Sequence, residues 1–372
     1  METINEQLTE TGHPHGSNEG RLMRMCAVIL AVVVGGTTFA YAGGWLTPSA
    51  LTPSRFVDTL EQVSGNHPGY RRNHARGVGV SGYFESNGNG EKLSRASIFK
   101  PGRVELLGRF SLSGGNPQAA DSVGEVRGLG LQFTSTNGET WRTAMISLPV
   151  FPVDTPEAFH ELLIASRPDP QTGKPVPSAM KEFSAKHPES AAANPIIGKT
   201  PISDGFANTT FHGLNTFYFT NREGHAVPVR WIVTPEQPFR AADTSETHVD
   251  LSFLFHDLAG AVHQSPLRWH LIVILGHPDD PVDDASIAWD STRERVDLGV
   301  IVINAVEQEQ DSSADKINFD PLVLPDGISP SNDPLLSARS AIYSQSFTRR
   351  AGETRSLPSQ SELPLNKESG DE

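Results

Sequence analysis

The feature that most limits how this chain can fold is a series of short runs rich in β-branched and aromatic residues. Gly, Asn and Pro separate these runs, a pattern typical of β-strands joined by turns. Eight such runs occupy residues 77–86, 103–113, 127–136, 139–147, 215–221, 229–236, 267–276 and 296–306. Eight strands suit a closed barrel. We therefore predict an α+β fold, an eight-stranded antiparallel β-barrel with surrounding helices.

Helical patterns lie outside the predicted strands. Thr155 precedes Pro156, and Asp333 precedes Pro334, so each pair combines a capping side chain with a proline in the first turn. The predicted helices are one that begins at Pro53 and those in residues 155–166, 178–187 and 333–347. These helices supply the α part of the predicted fold.

An apolar stretch near the N-terminus limits where the protein resides. No charged residue occurs between Arg24 and Arg55, so the stretch is long enough to span a bilayer. Arg21 and Arg24 precede it, and the positive-inside rule then sends the rest of the chain outward, to a bacterial periplasm. We predict a transmembrane anchor or signal segment at residues 21–46. Residues 40–42, Ala-Tyr-Ala, have the form of a signal-peptidase site, so cleavage stays an alternative.

The two ends of the chain are polar and show no apolar periodicity. We predict a disordered N-terminal tail at residues 1–20 and a disordered C-terminal tail at residues 351–372. The folded domain then spans residues 47–350. The chain carries 30 Lys plus Arg against 44 Asp plus Glu, a formal net charge of −14, which excludes a broad basic surface for nucleic acid. Cys26 is the single cysteine, so an internal disulfide is excluded as well.

Three glycines in the stretch HARGVGVSGYF, residues 74–84, have the spacing of a dinucleotide-binding fingerprint. That fingerprint requires a hydrophobic strand before the first glycine and a helix after the last. Polar residues precede Gly77 and a strand-like run follows Gly82, so phosphate binding is excluded. Gly77 and Gly79 instead leave one face of a strand bare, and a flat object or another backbone can approach there.

The same stretch, extended to RRNHARGVGVSGYF, resembles the distal-histidine motif of haem catalases. Further motifs of that family follow in order: GRFSLSGG, EVRGLGLQF, PVFPVDTPEAF and, near the C-terminus, DPLLSARSAIYSQSFTRRAG. The resemblance covers roughly residues 50 to 350, without the longer N-terminal arm and C-terminal domain of large catalases. It implies a small, catalase-related peroxidase with a b-type haem.

The resemblance assigns the catalytic residues. His74 matches the distal histidine, whose neutral imidazole takes a proton from one oxygen of hydrogen peroxide and returns it to the other, so that the O–O bond breaks with water leaving. Ser111 matches the serine whose hydroxyl binds the other ring nitrogen and so sets the tautomer.

Arg339 and Tyr343 are four residues apart, so on a helix they share one face. Iron binding through a tyrosine requires the phenolate, and a nearby guanidinium favours that charged form. By resemblance Tyr343 is the axial iron ligand. The resemblance also implies the other residues that contact the haem: Arg71, Asn73, Arg109, Phe151, Phe159, Arg339 and Arg350, of which Arg71, Arg109 and Arg350 match the propionate-binding arginines.

Two positions depart from the family pattern. Ile146 stands where large catalases carry an asparagine that helps to orient peroxide, so Asn73 or Ser147 is the expected substitute for that polar group. Asn215 stands where a histidine is often found near the proximal arginine. Because catalase must use a second peroxide as reductant, loss of the asparagine favours a peroxidase that takes electrons from an external small-molecule donor.

The expected function is therefore reduction of hydrogen peroxide or organic hydroperoxides at a membrane-anchored, periplasmic haem site. Alternatives are a true catalase and a catalase-like enzyme that rearranges a fatty-acid hydroperoxide. A barrel that only sequesters haem or another apolar ligand is a third alternative. The resemblance also implies a homodimer.

Overall fold

The structure, a computed structural model, describes residues 18–42, 50–169, 171–245, 248–355, 359 and 363. Most of the predicted tails, residues 1–20 and 351–372, and the end of the predicted membrane segment lie outside the described residues. The chain divides into two units, of which the first ends at Thr52 and the second begins at Pro53.

The first unit contains the helix α1 (Asn18–Ala42). Its stretch from Gly20 to Tyr41 is 22 residues long, and in the described part of the chain α1 alone is long and apolar enough to cross a membrane. None of this stretch is buried in the structure. Its length and composition fit a membrane anchor or a signal sequence, the two alternatives that the sequence predicts.

The second unit is built around a closed, eight-stranded antiparallel barrel, as the sequence predicts. Its strands are β1 (Gly77–Ser86), β2 (Gly102–Leu112), β3 (Arg127–Thr134), β4 (Thr140–Ile146), β5 (Phe211–Thr220), β6 (Ala226–Pro235), β7 (Leu267–Leu275) and β8 (Arg295–Gln308). Their order around the barrel is β4-β3-β2-β1-β8-β7-β6-β5. The pair Ile146 and His212 joins β4 to β5 and closes the barrel.

The two faces of each strand differ because successive side chains alternate. On β3, Leu129 and Leu131 are buried in the barrel core, whereas Gly128 and Gly130 lie on the opposite, outer face. Aromatic side chains fill the interior, where Trp141 contacts both Phe133 and Trp231. The barrel is therefore a packed core, and the space for a ligand lies outside it.

The helices of the second unit are α2 (Pro53–Ser64), α3 (Pro156–Ala165), α4 (Pro177–Lys186), α5 (Pro188–Lys199), α6 (Phe253–Gln264) and α7 (Pro334–Ala351). The contacts of α2 with α3 and α7 bring these three helices together. Thr155 caps α3 by accepting a hydrogen bond from the Ala158 amide, and Asp333 caps α7 by accepting one from the Leu335 amide. Both caps confirm the sequence prediction.

Four elements differ from the sequence prediction. Helices α5 and α6 are additional, and α5 continues through Pro195. Strand β5 begins at Phe211, four residues before the predicted run, because its register shifts between Gly213 and Phe217 and interrupts the alternating pattern. A short strand, β9 (Ile328–Pro330), pairs with residues 217–219 of β5. Three residues are too few to show the alternating apolar pattern of a strand.

Candidate active site

One cavity on the outer face of the barrel contains every residue that the sequence predicts for the site. The lining residues include Arg71, Asn73, His74, Arg109, Ser111, Phe151, Phe159, Arg339, Tyr343 and Arg350. With the open space at its mouth the cavity encloses about 1440 Å³. Folding therefore brings together residues from β2, β3, β4, α3 and α7.

A row of cross-strand partners forms part of the cavity wall. Ser111 of β2 pairs with Gly128 of β3, Gly128 pairs with Ile146 of β4, and Ile146 pairs with His212 of β5. Directly paired residues of antiparallel strands point to the same face. A Cβ atom on Gly128 would lie 2.7 Å from Ser111 Oγ and 3.0 Å from His74 Nδ1. Only glycine therefore leaves room for the His74 ring.

His74 precedes β1 and adopts a left-handed backbone conformation, with φ of 55°. Non-glycine residues rarely adopt this conformation, so neighbouring groups must hold it. Asn73 does so, since its Oδ1 accepts hydrogen bonds of 2.9 Å from the amides of His74 and Gly114. Ser111 Oγ lies 3.1 Å from His74 Nδ1. The ring thus has the serine partner that the resemblance predicts.

The His74 imidazole is neutral at physiological pH. Burial lowers its pKa from 6.5 to about 3, and the positive charges of Arg109, Arg339 and Arg71 add to this effect. A neutral imidazole carries one hydrogen-bond donor and one acceptor. His74 can therefore accept a proton within the cavity over the whole neutral pH range.

A chain of hydrogen bonds leads from the start of α7 to Tyr343. Asp333 Oδ2 accepts from Asn215 Nδ2 at 2.7 Å, and Asn215 Oδ1 accepts from Arg339 at 2.5 Å. Arg339 also donates to the Tyr343 hydroxyl at 3.3 Å and to the backbone carbonyl of Ala144 at 2.8 Å. Asn215, a departure from the family pattern, therefore fixes the guanidinium that faces the tyrosine.

Two of the predicted propionate-binding arginines share one buried carboxylate. Arg109 donates two hydrogen bonds of 2.8 Å to Glu309, one to each oxygen, and Arg71 donates a further one to Glu309 Oε1. Arg109 is only 3% exposed and Glu309 only 5%. Burial and Arg109 lower the pKa of Arg71 to about 9. Burial alone would raise the pKa of Glu309, but Arg109 and Arg71 outweigh it and hold that pKa below its usual range.

Arg350, the third predicted arginine, lies at the end of α7. It donates hydrogen bonds of 2.7 Å to the backbone carbonyl and the carboxylate of Asp315. Arg355 pairs with the same carboxylate at 2.7 Å, and Arg71 lies 3.6 Å from it. The cavity therefore has one cationic end, in which guanidiniums outnumber carboxylates.

Phe151 and Phe159 form an aromatic side of the cavity. Their ring centroids are 5.0 Å apart, edge to face, and Phe159 lies 5.7 Å from Phe56 of α2. All three side chains line the cavity. This side is apolar, in contrast to the cationic end.

Two sequence interpretations are refined here. Gly77 and Gly79 are absent from the cavity lining that the described residues form, so the groups that approach them closely are protein atoms. A Cβ atom on Gly77 would lie 2.4 Å from Arg109 and 2.5 Å from the backbone oxygen of Phe110, and one on Gly79 would lie 2.0 Å from Ser312. The glycines that line the cavity are Gly128 and Gly130. They are also two residues apart on one strand, β3, which the motif EVRGLGLQF contains. The Ser147 hydroxyl, a possible substitute for the missing asparagine, accepts from the Arg127 amide at 3.0 Å and does not line the cavity of the described chain.

Glu309 and His212 are site residues that sequence reasoning missed. Glu309 follows the last predicted strand in a polar stretch that has no motif, so nothing marks it. His212 lies in the part of β5 that precedes the predicted strand, and the only available signal was that His212 and Leu214 are two residues apart, as side chains on one face of a strand are.

The residues of the cavity fit a haem. Gly128, Gly130 and Ala144 line it with at most one carbon atom each, which leaves space for a flat ring. Tyr343 offers an oxygen ligand of the type that binds haem iron in catalase, and the cationic end suits two carboxylates. The remaining wall is largely apolar, as a porphyrin requires.

Comparisons with known proteins place these features in one family. A family model for catalases matches residues 40–369. The chain is 36% identical over 331 residues to a catalase-related peroxidase of Synechococcus elongatus, covering 89% of this chain and 97% of the relative. It is 33% identical over 309 residues to a catalase-related peroxidase of Mycolicibacterium paratuberculosis, covering 82% and 96%.

Solved structures show the same fold. Catalase A of Saccharomyces cerevisiae superposes with a TM-score of 0.70 at 22% identity, covering 77% of this chain and 62% of the yeast chain. A bacterial catalase superposes with a TM-score of 0.67 at 19% identity, covering 99% and 67%. This chain therefore spans about two thirds of the length of these larger proteins.

Proposed function

The chain belongs to the catalase family, and we propose that it is a haem-dependent peroxidase that reduces hydrogen peroxide or organic hydroperoxides with an external small-molecule electron donor. One observation carries the proposal: His74 and Tyr343 line the same cavity, each with the partner that its chemistry requires. The relatives named catalase-related peroxidases, which this chain matches over almost their full length, support it.

Tyr343 and the cationic end would hold the cofactor. The Tyr343 oxygen would be the iron ligand, and Arg339, fixed by Asn215 and Ala144, would stabilise negative charge on that oxygen. Arg71, Arg109 and Arg350 would bind the two propionates. When bound, haem supplies the iron centre that coordinates peroxide and provides electrons for cleavage of the O–O bond.

His74 moves the proton. With Nδ1 at the Ser111 hydroxyl, the other ring nitrogen accepts the proton of one peroxide oxygen and returns it to the second oxygen, which leaves as water or an alcohol. The low pKa of His74 keeps the ring in the accepting form before the reaction. Phe151 and Phe159 give the cavity an apolar side for the substrate or the cofactor.

Ile146 favours the peroxidase over a catalase. Its aliphatic side chain lies in the cavity, in the same row as Ser111, and offers no hydrogen bond to a second peroxide. The Asn73 carbonyl oxygen is already occupied by two backbone amides. The pair of polar groups that would orient peroxide as a reductant is thus incomplete.

Purified haem-loaded protein tests the proposal directly. We expect peroxide-dependent oxidation of a phenolic donor with little dioxygen release, and an optical spectrum of phenolate-ligated ferric haem that is lost in Tyr343→Phe. Rapid dioxygen release without donor oxidation would overturn the peroxidase assignment. A Tyr343→Phe protein with an unchanged spectrum would overturn the ligand assignment.

We further propose that the protein works outside the cytoplasm, held in the inner membrane by the segment that contains α1. The arginines before the apolar stretch and the length of that stretch support this orientation. Removal of the segment by signal peptidase is the alternative. A homodimer stays a prediction.

A further inference from the structure

The cavity lining contains a second histidine, His212, in addition to His74, and both side chains are half-buried. His212 lies on β5 where that strand closes the barrel against β4. Within the described part of the chain its ring has no hydrogen-bond or ion-pair partner, whereas His74 has Ser111. The His212 ring is therefore available to bind a molecule in the cavity.

The environment of His212 keeps its imidazole neutral. Burial lowers its pKa from 6.5 to about 4, and the charge of Arg295 contributes in the same direction. A neutral imidazole can donate one hydrogen bond and accept another. His212 therefore offers a polar group to a bound molecule without bringing a charge into the cavity.

The sheet places His212 on the far side of Ile146 from His74. The His74 ring lies against Gly128, Ile146 is the cross-strand partner of Gly128, and His212 is the partner of Ile146. Neighbouring strands are about 4.8 Å apart, so the backbones of Gly128 and His212 are separated by roughly 10 Å. The space above Ile146 thus lies between the two imidazoles.

We propose that His212 is a substrate-binding residue that hydrogen-bonds the hydroperoxide above Ile146, from one strand beyond the position of the family asparagine. This inference rests on the proposed peroxidase function and assigns binding, not proton transfer, to the second histidine. Asn73 and Ser147 are less suited, since backbone amides already occupy the Asn73 oxygen and the Ser147 hydroxyl.

Steady-state kinetics with hydrogen peroxide and with tert-butyl hydroperoxide, at saturating phenolic donor, test this role. In His212→Phe we expect KM for both to rise roughly fivefold to tenfold, the size of one lost neutral hydrogen bond, while kcat changes less than about threefold. His212→Asn restores an amide hydrogen bond and should return KM to within about twofold of the wild-type value. His270→Phe is the matched control, because His270 on β7 is outside the cavity lining and pairs with Asp297.

Equilibrium binding gives a readout that does not depend on turnover. Azide accepts hydrogen bonds along its length, so optical titration of the resting ferric protein with azide should give a Kd about fivefold to tenfold higher in His212→Phe than in the wild type. His212→Asn should bind azide nearly as tightly as the wild type. Equal Kd values for His212→Phe and His270→Phe would overturn the inference.

His74→Phe separates failure of this inference from failure of the proposed function. If His74→Phe loses turnover while His212→Phe keeps the wild-type KM, the peroxidase stands and the role of His212 is wrong. If His212→Asn is as impaired as His212→Phe, the residue acts only through packing, and the inference is overturned. If His74→Phe turns over at the wild-type rate, the proposed function fails and the role of His212 fails with it.

Discussion

At the scale of single residues, the site depends on groups whose charge state is set by burial. His74 and His212 are both neutral because the cavity disfavours their protonated forms. Glu309 is ionised because two guanidiniums outweigh the same burial effect. The cavity therefore combines neutral histidines on the barrel face with a concentrated set of ions at one end.

The pH dependence of the reaction with peroxide follows from the pKa of His74. A histidine with the ordinary value of 6.5 loses its accepting form below that pH, whereas one with a pKa of about 3 keeps it. We expect the second-order rate constant for the reaction of the ferric protein with hydrogen peroxide, measured by stopped flow, to be unchanged between pH 7 and pH 5. A fall centred near pH 6.5 would show that the pKa of the proton acceptor is not lowered by the cavity. Ser111→Ala should lower the same second-order rate constant roughly fivefold to tenfold, because the His74 ring loses its hydrogen bond to the serine hydroxyl.

Glu309→Gln tests the buried carboxylate. It leaves Arg71 and Arg109 without their compensating charge, and breaking a buried ion pair in this way costs about 3 kcal/mol or more of the free energy of unfolding. The pKa of Glu309 is lower in the folded protein than in the unfolded chain. Its contribution to the free energy of unfolding is therefore complete above the unfolded-state pKa of about 4.3, and it is lost as pH falls through the folded-state pKa. Urea unfolding at pH 7 should show the loss. Asp326→Asn, which breaks the exposed pair with Arg95, should change stability by less than about 1 kcal/mol.

At the scale of elements, α7 and β3 position the chemistry. Asp333 caps α7 and so fixes where the helix begins. Arg339 and Tyr343 are four residues apart on this helix, about one turn, so their side chains lie side by side. Strand β3 carries Gly128 and Gly130 on its outer face and leucines on its inner face. The same alternation that fills the barrel therefore keeps the cavity floor bare.

Asp333→Ala tests the connection between the cap of α7 and the tyrosine. The substitution removes the hydrogen bonds to the Leu335 amide and to Asn215, so we expect a loss of about 2 kcal/mol in the free energy of unfolding. The optical spectrum of the ferric protein should also shift, since Asn215 no longer holds Arg339 in one orientation. Ser337→Ala on the exposed side of α7 should leave both unchanged. A stable Asp333→Ala protein with the wild-type spectrum would contradict the connection.

At the scale of the whole molecule, the candidate site and the N-terminal helix belong to different units. The second unit contains the complete cavity, and nothing in the chemistry of the cavity requires α1. The apolar stretch of α1 instead fits export or anchoring. The formal net charge of −14 suits a protein that stays soluble outside the membrane.

Cell fractionation tests the task of the N-terminal segment. The full chain, expressed in a bacterium, should sediment with the membranes and be degraded by protease only after the outer membrane is opened. A chain that lacks residues 1–46 should remain in the soluble cytoplasmic fraction. A soluble periplasmic protein whose mass shows cleavage after Ala42 would support a signal peptide. A full-length chain in the cytoplasm would overturn export.

The sequence by itself determined the local features of this protein. Alternating apolar residues determined the barrel strands, and a capping residue before a proline determined where α3 and α7 begin, because these patterns involve neighbours a few residues apart. The spacing of Arg339 and Tyr343 likewise predicted their contact. The ordered motifs were sufficient to predict the family and ten of the residues that line the cavity.

Only the tertiary structure decided the contacts between distant parts of the chain. Glu309 is 200 residues from Arg109, and His212 faces the site because β5 closes the barrel beside Ile146. Asn215 reaches Arg339 across 124 positions. No local pattern encodes such pairs, since they depend on strand order and register, and these follow from the packing of the entire core.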